Sequence, residues 1–374
     1  MRKHNLVRKV AAMTAAIAMG LSLLACGGGE KETKAPETQK EESVGETDAE
    51  STEEAAGTDG AGTETKAAGS EEGGKKDLKV AIVKQMDHAS LDEIADAVAA
   101  ELDKLAADNG ITIEYEIYSG QGDQSTLKQI GDQAVADGVD MIIPVATLAA
   151  QVMTVCAEET KTPVIYAAIS DPEAAEVTGI DYVTGTSDAL NTEFILDMMF
   201  RQNPDIKKVG LLYSLSEANS QTPIAEAKAY LDAKRIPYTE ATANTNDEVI
   251  AAASVLVSEK VDAVFTPTDN VIMSAELAIA DSLIEAGIPH YTGADSFVRN
   301  GAFATCGVNY TGLGTKTADL AYQAVTEGMD GMEDFYKMDG GIITVNTETA
   351  EGLKIDHSVF ADMGELVEVQ TTEE

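Results

Sequence analysis

The chain has no tryptophan, only four histidines and three cysteines, and 26 lysines and arginines against 65 aspartates and glutamates. Each scarcity excludes something. Without indole rings, a sugar site built from stacked aromatic faces has little to be made of. A formal net charge of -39 leaves no basic face for a polyanion, so nucleic acid is not a partner, and the acidic excess reads as a solubility device. His4, His88, His290 and His357 are too scattered to pair with a nucleophile, and no serine stands in a Gly-x-Ser-x-Gly turn. A Gly-x-Gly-x-x-Gly after the first apolar strand is missing, as is a loop ending in Gly-Lys-Ser or Gly-Lys-Thr. Dinucleotides and nucleoside triphosphates therefore lack their backbone cradle, and no cofactor is expected. His88 and Asp92 stand one helical turn apart and could supply half a metal site, but two ligands are too few and no metal is expected.

What is present begins with an N-terminal segment in three parts. Arg2, Lys3, Arg8 and Lys9 lead into an apolar run from Val10 to Ala25, too short and too poorly flanked to span a bilayer, which is the order of a secretory signal. The run closes on Leu23-Leu24-Ala25-Cys26, which suits a lipoprotein signal peptidase and offers Cys26 for a diacylglycerol; an ordinary cleaved signal with a chance cysteine is the plainer alternative. Residues 26–76 are mostly Glu, Lys, Thr, Ser, Ala and Gly, with no aromatic residue. Such a stretch cannot bury enough apolar surface to offset chain entropy and reads as a disordered tether. If Cys26 carries lipid, Cys156 and Cys306 remain. A disulfide between them is formally open, but both sit in apolar segments, where cysteine usually stays a buried thiol.

From about Asp77 onward, β-branched runs alternate with stretches of helical period, the pattern of βαβ units on parallel sheets. The pattern is written twice. Lys79-Val80-Ala81-Ile82-Val83 is answered by Lys208-Val209-Gly210-Leu211-Leu212; Met141-Ile142-Ile143-Pro144-Val145 by Ala263-Val264-Phe265-Thr266-Pro267; and Pro163-Val164-Ile165-Tyr166 by Ile288-Pro289-His290-Tyr291. The reading is an α/β chain of two doubly wound, Rossmann-like lobes. Residues 77–186 with about 306–338 are expected to form the first, and 187–305 with about 339–374 the second. Thr184 to Asp188 suits a hinge, with a helix cap at Ser187 or Asp188. A helix is expected over 313–327 and a last strand over 342–345.

Loops at the carboxyl ends of parallel strands form a crevice, and two facing lobes put two sets of loops around one cleft. Candidate ligand-binding residues are therefore Gln85, His88, Leu91, Thr147, Asp171 and Ser187 from the first half, and Asn219, Thr268, Asp269, Asn270 and Asp295 from the second. Asp269 and Asp295 end neighbouring strands and could hold an ammonium; Gln85, Thr147, Ser187, Thr268, Asn270 or helix N-termini could hold a carboxylate. Asp171, Asp188, Asp269 and Asp295 could each instead cap a helix N-terminus, the first two above all.

In order and spacing, several blocks resemble the ABC-transporter substrate-binding lipoproteins of the tryptophan/tyrosine type, with a type I periplasmic-binding-protein fold. They are Gln85 to Asp92, Gln121 to Ser125, Ala146 to Gln151, Ser170-Asp171-Pro172, Gly185 to Asp188, Pro267 to Asn270 and Gly301 to Thr305. The resemblance implies a monomeric, non-enzymatic receptor at the cell surface. It would close on an amino acid, with an aromatic one favoured, and present it to an ABC permease driven by its ATPase. Ala89 and Asp295-Ser296 depart from the family pattern in pocket loops. The alternatives are a sugar or nucleoside receptor of the same fold, or a cleft enzyme such as a racemase.

Overall fold

In the computed structural model, residues 77–372 are described; they lie within one compact unit, Gly69–Glu374. The signal, Cys26 and the tether fall outside them. The chain opens with β1 (Leu78–Lys84), α1 (Ala89–Asn109), β2 (Ile113–Ser119), α2 (Gln124–Ala136), β3 (Met141–Val145), α3 (Thr147–Cys156), β4 (Val164–Tyr166) and β5 (Val183–Ser187). It continues through α4 (Thr192–Gln202), β6 (Val209–Tyr213), α5 (Gln221–Lys234), β7 (Tyr238–Thr242), α6 (Asn246–Ser258), β8 (Ala263–Thr266), α7 (Asn270–Met273), α8 (Glu276–Glu285), β9 (His290–Thr292), α9 (Asp295–Arg299) and β10 (Ala304–Gly307). The last segment supplies α10 (Tyr310–Glu327), β11 (Tyr336–Lys337), β12 (Ile342–Asn346), α11 (Thr347–Leu353) and β13 (Glu365–Val369).

The strands build two sheets. The first runs β11-β5-β4-β3-β1-β2 and is parallel throughout; the second runs β13-β12-β10-β9-β8-β6-β7 and is parallel except where β10 meets β12. The order 5-4-3-1-2 in one is the order 10-9-8-6-7 in the other, so the duplication written in the sequence is a duplication in space. The central strands β3, β5, β6 and β8 are buried along their whole length, which is why they read as near-continuous apolar or small-residue runs.

We call the body on each sheet a lobe. The chain passes between sheets after β5, after β10 and after β11. Helix α10, capped by the Asn309 side chain, returns to the first lobe and lies along α1. The approach is close because Gly314 has no side chain: a Cβ there would stand 2.6 Å from the Ile94 carbonyl and 2.7 Å from Ala97. The helix expected over 313–327 begins earlier, at Tyr310, and the strand expected over 342–345 extends to Asn346. The expected cap at Ser187 or Asp188 is corrected: both precede the helix, and Asn191 caps α4 by accepting the Phe194 N–H.

One apolar cluster packs α1 and α10 on the first sheet and continues across to Met273 and Phe297 of the second lobe. The far faces of the two sheets have separate clusters. Cys156 and Cys306 are both free thiols, the second buried. Among the described residues, no helix is long and apolar enough to cross a membrane.

Candidate functional site

The carboxyl ends of β1, β3 and β5 face those of β6, β8 and β9, and between them lies a cavity of about 20 Å³. Of the candidates, His88, Leu91, Thr147, Asn219, Thr268, Asp269 and Asn270 line it, with Ser90, Ser170, Asp188 and Tyr310. Its apolar wall is Leu91 and Ile94 on one side and Met273 and Phe297 on the other. Gln85 is not in the lining and is bonded instead to Glu217 and the Leu148 N–H. Asp171 and Ser187 line an adjacent groove instead, between Pro172 and Thr222. There Asp171 takes the Ala174 N–H, as a cap would, and the Thr222 hydroxyl at 2.8 Å from across the gap.

The lobes are drawn together by polar links. Gln85 Nε2 donates to Glu217 Oε1 at 2.7 Å, the Ser170 and Thr268 hydroxyls meet at 2.9 Å, and the Ser90 and Ser296 hydroxyls are also bonded. Asn270 Nδ2 donates to Glu217 Oε2 at 2.6 Å, so Asn270 Oδ1 must accept from His88 Nε2, 3.0 Å away. That fixes the histidine tautomer and leaves Nδ1 as an acceptor. His88 and Asp92, the two candidate metal ligands, are engaged apart: Asp92 pairs with Lys84.

The acids separate into two kinds. Asp269 is spent on its own lobe: Oδ1 takes the Ile272 N–H as the cap of α7, and Oδ2 takes the Ser214 N–H and the Ser220 hydroxyl, both at 2.7 Å. Asp295 pairs with Arg299 at 2.7 Å, and that arginine reaches Glu93 of the first lobe. Asp188 is different. Its side-chain partners are two hydroxyls, Ser170 at 2.9 Å and Tyr310 at 3.1 Å, beside a bond from its own backbone amide, and it borders the cavity. Burial raises its carboxyl above the ordinary value against the pull of those bonds, so the site would gain from a bound cation. Burial likewise pushes Glu217 up to about 7, with the Asp269 charge adding to it, and pushes His88 down to about 4.

Buried polar atoms without a protein partner gather here: His88 Nδ1, Thr147 Oγ1, Asn219 Oδ1 and, beside them, Asp295 Oδ1. Leaving such atoms unpaired costs about 1–3 kcal/mol each, and folded proteins keep few without a reason. Thr147 opens α3 directly after Ala146, whose φ of 77° is unusual for a residue with a side chain and whose position as N-cap brings no capping group. Of the first-turn amides of α3, Leu148 N–H is taken by Gln85 Oε1. Sequence reasoning read Asp188 as a cap and placed Ser170 and Glu217 only within the polar loops around the cleft, with no role for either, because bonds between residues distant along the chain leave no local pattern.

Comparison with known proteins agrees with this geometry. Residues 79–361 match the family described as ABC transporter substrate binding protein. A "Tyrosine-binding protein" of Clostridioides difficile is 29% identical over 284 residues, covering 75% of this chain and 81% of its own. A Streptococcus domain solved in complex with L-Trp is 28% identical with a TM-score of 0.71, covering 78% of this chain and all of that one. A ligand-free, open substrate binding protein with adhesive properties from Clostridium difficile has a similar identity, 26%, with coverage of 79% and 100%, yet a TM-score of only 0.59. At nearly equal identity, the overall structural likeness is thus greater to the tryptophan complex than to the open form. Two repeated lobes, a cleft between them and a family match over most of the body make this chain a member of the ABC transporter substrate binding proteins.

Proposed function

We propose that this chain is the extracytoplasmic receptor of an ABC importer for an aromatic amino acid, lipid-anchored through Cys26 and working as a monomer. The observation that carries the reading is that His88, Thr147 and Asn219, whose Nδ1, Oγ1 and Oδ1 are buried without protein partners, line a cavity whose apolar wall is Leu91, Ile94, Met273 and Phe297. Polar atoms needing partners beside an apolar wall suit a small amphiphile with a charged end and a ring. Asp188 is the ammonium partner in this reading. The carboxylate goes to Thr147 and the first-turn amides of α3 other than Leu148, which Gln85 takes; the helix dipole there favours an anion. This replaces the Asp269–Asp295 pair as the ammonium site, since Asp269 has both oxygens engaged and Asp295 has an arginine. The relatives named for tyrosine and solved with L-Trp support the ring.

A cavity of about 20 Å³ has room for roughly one water. An aromatic amino acid therefore enters an opened cleft, and closing upon it selects the shape that the permease reads. No bond is made or broken in this cycle. Thermal shift and calorimetry on the Cys26→Ser chain, freed of its first 25 residues, test it against amino acids, sugars and nucleosides. Tyrosine or tryptophan at a hundred times its Kd should add about 2.7 kcal/mol. A response to a nucleoside or sugar alone would sink the ligand reading, and a racemised product would sink the receptor reading. In cells, the Cys26→Ser chain should leave the membrane fraction.

A further inference from the structure

We infer that Glu217 and His88, joined through Asn270, form a proton-balanced latch that holds the two lobes shut; the inference rests on the reading that the lobes close on a ligand. The geometry has two links across the cleft. Gln85 Nε2 from the first lobe donates to Glu217 Oε1, and His88 Nε2 from the first lobe donates to Asn270 Oδ1. Within the second lobe, Asn270 Nδ2 donates to Glu217 Oε2, so one amide ties both links into a single chain. Parting the lobes takes Gln85 and His88 one way and Glu217 and Asn270 the other, and returns both titratable groups to water.

The charged neighbours are few. Asp269 lies beside Glu217 with the same sign; behind His88, Lys84 is shared between Asp87 and Asp92; Asp188 and Tyr310 stand at the far side of the cavity. No cation is bonded to Glu217, whose two oxygens are held by amides alone. Burial then works on the two members in opposite directions.

Closed, Glu217 titrates near 7 against an ordinary 4.5. The closed form binds its proton more tightly, so Glu217 favours closure fully below about 4.5, and this is lost as pH rises through about 7. Closed, His88 titrates near 4 against 6.5. The closed form holds that proton less tightly, so His88 favours closure fully above about 6.5, and this is lost as pH falls through about 4. Between about pH 4.5 and 6.5 the two slopes cancel, and closure takes a proton at one end of the chain while releasing one at the other.

The test is calorimetric titration with L-tyrosine and with L-tryptophan from pH 4.5 to 8. Wild type should show a nearly flat affinity up to about pH 6.5. Glu217→Gln should bind more tightly as pH rises, and His88→Gln, whose amide keeps a donor, should bind more weakly, each by roughly tenfold or more on the scale of one decade per pKa unit. Flat profiles in both variants, or slopes of the same sign, overturn the latch. If neither amino acid binds wild type, it is the ligand assignment that has failed. Small-angle scattering of the ligand-free variants then still tests the latch: Glu217→Gln should expand toward low pH and His88→Gln toward high pH, and unchanged radii overturn it.

Discussion

A strand-to-helix connection occurs at the same place in both lobes, after β3 and after β8, and it is finished in two ways. In the second lobe, Asp269 caps its helix and satisfies three donors of its own lobe. In the first, the cap position is Ala146, held at positive φ, and the next residue keeps a hydroxyl with no protein partner. One turn is complete by itself; the other is complete only with something else. Duplicated lobes thus need not contribute alike to a shared cleft: the second lends a settled floor, the first an unsettled one.

The sharpest way to break this contrast is at Asp269. Replacing it with alanine strands three buried donors and should cost about 3 kcal/mol or more of folding stability, seen as a lower denaturation midpoint before any ligand is added. A protein that melts normally but no longer binds would show that Asp269 serves the ligand after all. Asp188→Asn should do the reverse, leaving the midpoint nearly unchanged while weakening an aromatic amino acid by about 2–3 kcal/mol, or roughly 30- to 150-fold in Kd, as the ammonium loses its counter-charge. Unchanged affinity would move the ammonium elsewhere. The smallest effect is expected of Thr147→Val: calorimetry should show about a tenfold loss of affinity, with stability equal or slightly raised, because no protein bond is removed. A loss of stability there would mean that the hydroxyl is not waiting for a ligand.

Much of the fold was legible because its causes are local or periodic. The buried strands announce themselves as apolar runs, and the repeated order of strand and helix carries the two-sheet topology. The cleft was legible as a place, since it lies where strand ends must meet; Thr147, Asn219 and Asn270 were found that way. Roles were harder. Asp188 and Asp269 look alike in sequence, each an acid after a strand. What separates them is that Ser214 and Ser220, distant along the chain, reach Asp269 and fill it, whereas the hydroxyls of Ser170 and Tyr310 are the side chains that reach Asp188. Glu217 was legible only as one residue of the cleft loop from Ser214 to Asn219, and its role was not, because its partner Gln85 comes from the opposite lobe. His290 was placed in its strand but given no partners, and it proves to be a core residue of the second lobe, between Glu276 and Thr266.

The chain passes between the sheets three times, and segments of all three passages, near Asn191, Val308 and Gly340, line one groove. A rotation of the lobes must be shared by three backbones at once. Twisting would stretch at least one of them, whereas bending about the groove asks the same small change of each. The motion is thereby reduced to nearly a single coordinate, one angle, so a membrane partner that senses the distance between two points on opposite lobes has read the state of the whole receptor.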